Sequence, residues 1–370
     1  MKDMHGLIFA YDANSKLREL TEHRAVSSIP YGGRYRVIDF MLSSMVNSDI
    51  NDMGIIMREN YQSLLDHLGS GKDWDMARKR GGLRLLPPFG FAGVRGGFYR
   101  GKMDALYNVR DYVQKIRQEH VVIASGDVVV NLPLDEIYEY HLDNGYEITC
   151  VVTPQTSGLT AHESFLTTNP KGRVNSVIIG RAELGSVEMM GVYILSRKLL
   201  ESLISYCGAH NLCDFERDIL QAMTDKLNIG TYMFRGYAAK LTTTSEFFAR
   251  SMDMLKPAVL KELFPKNRPI KTKVRDEPST YYGNGATVKN SIVADGCYIE
   301  GNVENSILSR GVRVGKNAQV RNSIIMQDTQ IGEGAVLNYV ITDKLVNVGS
   351  GTMMMGHENY PAAIGKGAVV

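Results

Sequence analysis

Between residues 288 and 341 the chain repeats itself. Val288-Lys289-Asn290-Ser291-Ile292-Val293 returns as Val303-Glu304-Asn305-Ser306-Ile307-Leu308, as Val320-Arg321-Asn322-Ser323-Ile324-Ile325, and more loosely as Val336-Leu337-Asn338-Tyr339-Val340-Ile341, with starts 15, 17 and 16 residues apart. Within that spacing lie hexads such as Val314-Gly315-Lys316-Asn317-Ala318-Gln319 and Ile331-Gly332-Glu333-Gly334-Ala335-Val336, each opening on an aliphatic residue with a small one four places on. A three-sided prism whose faces each take a hexapeptide uses about 18 residues per coil, so the repeat predicts a parallel β-helix. An antiparallel sandwich turns at similar intervals, but it does not require nearly the same hexad in successive turns.

The first part of the chain has another rhythm. Short apolar runs, Leu7-Ile8-Phe9-Ala10, Gly54-Ile55-Ile56-Met57, Val121-Val122-Ile123-Ala124 and Ile148-Thr149-Cys150-Val151-Val152, alternate with amphipathic stretches. That alternation predicts an α/β domain, a mostly parallel sheet covered by helices. Leu106, Val109, Val113 and Ile116 fall at helical spacing within Met103–Arg117, which supplies a crossover connection. Phe247–Leu263 also reads as helix, with a break at Pro257. The helical period disappears after Pro265, Pro269 and the polar stretch Lys271–Thr280. The expected organisation is an α/β domain over 1–245, a helical linker over 246–278 and a β-helix domain over 279–370.

Composition narrows the function. The 42 basic and 40 acidic side chains leave a formal charge of +2, so no bulk attraction to nucleic acid or to an anionic membrane is expected, and any anion site must be local. Four cysteines without C-x-x-C spacing read as free thiols in a reducing compartment. The N-terminal apolar stretch is too short for a signal segment and no apolar run reaches 18 residues, so a soluble cytoplasmic protein is expected.

A parallel sheet binds its ligand at the carboxyl ends of its strands, which directs attention to the turn after Phe9. A phosphate-binding turn needs glycines, whose missing Cβ lets backbone N–H groups close on the anion. Here the turn reads Ala10-Tyr11-Asp12-Ala13-Asn14-Ser15-Lys16-Leu17, with no glycine and an added carboxylate. Ser125-Gly126-Asp127 ends another strand with a carboxylate suited either to a divalent cation or to capping a turn. Arg78, Lys79, Arg80 and Arg84 surround Gly81-Gly82 and fit either a phosphate grip or a solvated loop. Arg34 and Arg36 follow a tight turn at Pro30-Tyr31-Gly32-Gly33, where they can face an anion or pair structurally.

Tyr31-Gly32-Gly33-Arg34-Tyr35-Arg36-Val37-Ile38-Asp39-Phe40 closely resembles the hallmark segment of bacterial ADP-glucose pyrophosphorylases, the glucose-1-phosphate adenylyltransferases. His67-Leu68-Gly69-Ser70-Gly71-Lys72-Asp73-Trp74-Asp75, Gly81-Gly82 with Leu86-Pro87-Pro88, Tyr99-Arg100-Gly101, Ser125-Gly126-Asp127, Met190-Gly191-Val192-Tyr193, and Asp214-Phe215 with Asp218-Ile219-Leu220 follow in family order. The resemblance implies a Rossmann-like nucleotidyltransferase domain followed by a left-handed β-helix. It also implies the reaction, ATP plus glucose 1-phosphate giving ADP-glucose and pyrophosphate.

The departures are as informative. The family's phosphate loop reads A-G-G-x-G-x-R-L; the aligned residues here put Tyr11, Asp12 and Asn14 in place of the glycines and Lys16 in place of the arginine. Losing that cradle removes electrostatic stabilisation on which phosphoryl-type transfer depends. The family holds Mg²⁺ with two aspartates; the first matches Asp127, but Lys240 occupies the second position, and an ammonium repels the metal. The lysine of the A-K-P-A motif aligns with Val26. That of the sugar-phosphate E-K-P motif aligns with Gly180, beside Arg181, and the helix start G-T-A-N-A reads Gly101-Lys102-Met103-Asp104-Ala105.

This combination resembles the noncatalytic, regulatory GlgD-type branch of the family. The resemblance implies that no cofactor is bound productively and no metal is held. It further implies a heterotetramer with a homologous catalytic subunit, and a sugar phosphate or another anion as effector, for which Arg24, Arg34, Arg36, Arg310 and Arg313 are candidates. The alternative is a working Mg²⁺-dependent adenylyltransferase with a rebuilt loop, in which Lys16, Lys102 or Arg181 replaces lost charge. Hexapeptide β-helices also carry acyltransferases that use a histidine base, but the histidine after residue 245 is His357, outside the clear hexads.

Overall fold

The computed structural model describes residues 3–11, 16–88, 99–154, 163–180, 182–183 and 185–370. The expected Asp12, Asn14 and Arg181 site positions lie outside the described residues. The apolar runs become the strands of one nine-stranded sheet: β1 (Met4–Phe9), β2 (Asp52–Ile56), β3 (Gly82–Leu86), β4 (His120–Ser125), β5 (Ile148–Thr153), β6 (Glu163–Thr168), β7 (Val174–Gly180), β8 (Val187–Ser196) and β9 (Ile229–Met233). The main path runs β7-β6-β8-β4-β1-β2-β3, and β5 pairs with β8 and β9. The segment β4-β1-β2-β3 is parallel, as is β5 with β9, whereas β8 runs antiparallel to β4, β5 and β6.

Alternating side chains leave each strand on opposite faces, and two apolar layers result. Leu7, Phe9, Ile123 and Tyr193 enter one layer, which is closed by Leu106, Val109, Val113 and Ile116. Ile8, Ile55, Val122 and Ile194 enter the other, closed by Ile38, Met41, Leu42 and Met45 of the helix Val37–Asn47. The expected single helix over 103–117 is instead two short helices, Lys102–Asn108 and Arg110–Val113, which meet at Val109. Its apolar stripe is still buried in register, because four side chains a helical turn apart reach the sheet despite the break. Thr244–Met252 opens with a capping box, Thr243 Oγ1 accepting from the Glu246 N–H, and Pro257 stands at the first position of the helix Pro257–Leu263, where its missing N–H costs nothing.

From Tyr281 onward the chain winds as a left-handed parallel β-helix. Three five-stranded parallel sheets form its faces, beginning at Tyr281–Tyr282, Thr287–Lys289 and Ile292–Val293. Val288, Val303, Val320 and Leu337 are in register on one face, and Ile292, Ile307, Ile324 and Ile341 on another. The fourth repeat is therefore shifted by one residue from the sequence expectation, with Leu337 rather than Val336 opposite Val320. The corner residues explain it: Asn290, Asn305, Asn322 and Tyr339 all take positive φ, so Tyr339, not Asn338, continues the asparagine series.

The two domains share a core. Leu17, Leu20, Val26, Tyr31 and Phe40 pack with Phe247 and Leu263 of the connector and with Ile324, Met326 and Ile341 of the prism. Arg24 donates to Asp343 Oδ2 at 2.8 Å, both side chains being buried. Gly33, at φ +81°, lets the hallmark turn approach the prism; a Cβ there would lie 3.2 Å from the Leu308 carbonyl oxygen. Among the described residues no helix is long and apolar enough to cross a membrane.

Candidate functional site

The expected site residues fall mainly in two clefts. The first lies at the carboxyl ends of β1 and β4. There the Tyr11 ring meets Phe9 edge-on at 5.9 Å and Tyr99 at 6.2 Å, and the Arg58 guanidinium lies 5.9 Å from its centroid. Burial pushes the Tyr11 phenol above its ordinary range. A large aromatic side chain thus stands immediately after the strand, where a phosphate cradle needs bare backbone.

Beside it, Lys102 opens its helix and is ion-paired with Glu216, which also accepts a 2.8 Å hydrogen bond from Tyr193 Oη. Burial acts to raise the Glu216 carboxyl, but the Lys102 ammonium and the Tyr193 hydroxyl outweigh it and hold the group below its usual range. Tyr193 itself is pushed up, first by burial and then by the Glu216 charge. Asp214 is raised by burial and by the same neighbour.

Asp127 follows β4 and is buried, and its carbonyl accepts from the Leu241 N–H at 3.2 Å. Lys240 is paired with Val128 in the short ladder of Val128–Val130 and Ala238–Lys240, so an ammonium-bearing residue sits across from the residue after Asp127. A lysine supplied beside the Asp127 strand end does not suit Mg²⁺, a hard cation that takes anionic oxygen ligands. Gly180 ends β7 with φ +109° and, having no side chain, brings no cation to the position of the family's sugar-phosphate lysine. Lys16 is committed elsewhere: its N–H donates to the Thr242 carbonyl at 2.7 Å, and it lines a junction cavity with Arg18, Thr243 and Tyr360.

The second cleft lies between the domains. Arg34, Arg36 and Arg310 converge on a cavity of about 60 Å³, together with Lys273, Arg275, Asp66 and His67. The Arg36 guanidinium is fixed by hydrogen bonds to the Ser63 carbonyl at 2.5 Å and hydroxyl at 2.9 Å, and its backbone N–H donates to Asp39 Oδ2 at 2.9 Å. Asp39 also holds His67 Nε2 at 2.6 Å. Burial lowers the Arg36 guanidinium to about 10 and also lowers Arg310, whose neighbours Arg34 and Arg275 act in the same direction. Lys344 falls to about 7 through burial and through Arg36 and Arg24.

The structure therefore brings together three of the five candidate arginines. Arg24 is taken up by Asp343 at the edge of the cluster, and Arg313 stands on an outer prism face next to Tyr298, away from the cavity. Sequence reasoning missed Lys273, Arg275 and Lys344. The first two belong to the polar stretch read as a linker, and their signal was its alternating charge, Lys271, Lys273 and Arg275.

A three-faced prism behind a mixed, nine-stranded sheet defines a class, the hexapeptide-bearing nucleotidyltransferases. The nucleotidyl transferase family matches residues 6–238, and the GlmU-like C-terminal hexapeptide family matches residues 276–360. The chain is 36% identical over 368 residues to the glycogen biosynthesis protein GlgD of Bacillus subtilis (strain 168), covering 99% of this chain and 96% of that protein. It is 39% identical to the GlgD of Geobacillus stearothermophilus over 86% of this chain and 82% of the relative. A glucose-1-phosphate adenylyltransferase of the same organism is 31% identical over 85% and 82%. The chain belongs to the nucleotidyl transferase family, in the group that joins GlgD proteins with glucose-1-phosphate adenylyltransferases.

Proposed function

We propose that this chain is a regulatory, catalytically inactive subunit of glucose-1-phosphate adenylyltransferase, acting in glycogen biosynthesis by modulating a homologous catalytic subunit within a heterotetramer. The observation that carries the reading is the Lys102–Glu216 ion pair. Lys102 is one of the three cations, with Lys16 and Arg181, that a rebuilt catalytic site has for replacing lost charge, and its charge is neutralised from within the chain. Lys16 faces the domain junction, and Lys240 brings a positive charge to the second metal position. A triphosphate entering this cleft would meet Tyr11 in place of open backbone and would find no free ammonium at Lys102.

The interdomain cluster supplies the regulatory half of the reading. Arg34, Arg36, Arg275 and Arg310 converge where both domains contribute, so a sugar phosphate or similar anion bound there changes the energy of their relative placement. Such an effector acts only through unequal affinity for two states of the assembly.

The test is ADP-glucose synthesis by this chain alone, by the catalytic homologue alone and by the co-purified pair, across ATP and glucose 1-phosphate concentrations. The expected result is no turnover alone and altered kcat or KM in the pair. Robust Mg²⁺-dependent turnover by the isolated chain, abolished in Asp127→Ala, would overturn it and favour a rebuilt catalytic site. Arg34→Ala with Arg310→Ala is expected to abolish the effector response while assembly persists.

A further inference from the structure

A further cavity belongs to neither cleft. It measures about 600 Å³ and lies along β3, the strand that ends the main path of the sheet, against the helix Arg110–Val113 and the residues after it. Its rim carries five cations, Lys79, Arg80 and Arg84 from the turn into β3 and the strand itself, and Lys115 and Arg117 from beyond the helix. None of the five is in an ion pair among the described residues. The acid that lines the cavity is Asp52, whose carboxyl is lowered below its usual range: burial acts to raise it, and His5 with Gln118 and Arg84 outweigh that.

The wall and floor differ from the rim. Leu85, Leu86 and Ile116 give apolar surface, and Tyr112 presents a half-buried ring whose hydroxyl is 3.1 Å from His5 Nε2. His5 is 1% exposed, and its Nδ1 lies 3.7 Å from Asp52, beyond hydrogen-bond reach, with no hydrogen-bond partner among the described residues. The basic turn is closely packed where it enters β3: Gly82, at φ +85°, allows the Met76 carbonyl to close on it, where a Cβ would lie 2.3 Å away.

We propose that this cavity binds a nucleoside diphosphate, its phosphates on the basic rim and its base against Tyr112, Leu86 and Ile116. The volume is within the range of small-molecule sites, and the pairing of a cationic edge with a flat apolar wall is complementary to a molecule charged at one end and planar at the other. Phosphate alone satisfies the rim and leaves the wall unused. The basic rim stands apart from the carboxyl-end cleft, since His5 and Asp52 lie near the starts of β1 and β2, while Leu86 carries the apolar wall along β3 to the level of Ile56.

Hydrogen exchange read by mass spectrometry on the full chain, titrated with ADP, pyrophosphate or adenosine, tests this. ADP is expected to slow exchange in peptides spanning 79–86 and 112–117, with pyrophosphate and adenosine each binding at least about tenfold more weakly. Arg84→Gln with Lys115→Gln, checked for retained fold by circular dichroism, is expected to weaken ADP protection about tenfold per cation removed. Absence of protection at millimolar ADP, or protection unchanged in the double variant, overturns the site. Protection by pyrophosphate equal to that by ADP overturns the nucleoside assignment. Protection confined to peptides around 99–108 and 125–128 also overturns it, by placing ADP in the other cleft. No catalytic partner enters the measurement, so its outcome is separate from that of the regulatory reading.

Discussion

The two clefts hold comparable numbers of charged side chains and treat them in opposite ways. At the carboxyl ends of β1 and β4 the charges are closed internally, Lys102 by Glu216 and the ring of Tyr11 by its aromatic neighbours and Arg58. Between the domains, cations outnumber the acids beside them, and crowding lowers Arg310 and Lys344 along with their burial. Charges kept close together and partly buried are unfavourable until an anion arrives. A cleft can thus have its counterion supplied from within or withheld, and on the regulatory reading proposed above the first is a site retired and the second a site in use.

The contrast can be broken experimentally. The largest effect is expected from Arg24→Ala, which strands the buried Asp343 carboxylate at the domain contact and should cost about 3–5 kcal/mol in urea unfolding; a loss below about 1 kcal/mol would remove this pair from the latch. Glu216→Ala should cost about 2 kcal/mol, discounted because Lys102 retains some exposure, and Glu216→Gln less, since the amide still accepts from Tyr193.

A pH series sharpens the other side. Lys344 titrates near 7 when folded and at 10.5 as an ordinary lysine, so between those values the unfolded chain holds the extra proton and stability rises with pH. Below pH 7 the charge is present in both states and its full penalty is felt. The expected slope is about 1 kcal/mol per pH unit above pH 7, and Lys344→Met should flatten it while raising stability at pH 6. Phosphate in the cleft should bind more tightly as pH falls toward 6, because it favours the ammonium. The smallest effect is expected from Asn305→Ala, about 0.5–1 kcal/mol by thermal unfolding, for a positive-φ corner that also accepts from Asn290 at 2.8 Å.

What the sequence made legible was local. Strand runs such as Leu7–Ala10 and Val121–Ala124, and the aliphatic rungs of the prism, carry their pattern within a few residues, and they land where periodicity predicts. The fourth rung slipped because Val336 and Leu337 are both aliphatic, and Asn338 imitates a corner that Tyr339 occupies. The helix over 103–117 kept its stripe and lost its continuity at Val109, since burial of a face does not require an unbroken hydrogen-bond ladder. Site chemistry was harder to read. Lys102 and Glu216 are 114 residues apart, and nothing near either announces the other. Arg34, Arg36 and Arg310 are candidates through the family resemblance, but the cavity's remaining cations, Lys273 and Arg275, come from a stretch whose polarity resembles that of any linker.

The bond between Arg24 and Asp343 spans 319 residues of sequence. The segment around Arg24 is made early and leaves the ribosome long before the coil that completes it. At about 5–20 residues per second, the interval between the two is roughly 15–65 s. Throughout that time Leu17, Leu20, Val26 and Tyr31 lack the prism residues that later cover them. The nascent chain therefore carries an unfinished apolar surface for most of its synthesis, and a shortage of chaperone should reduce the yield of this protein more than that of a chain whose first domain closes on its own.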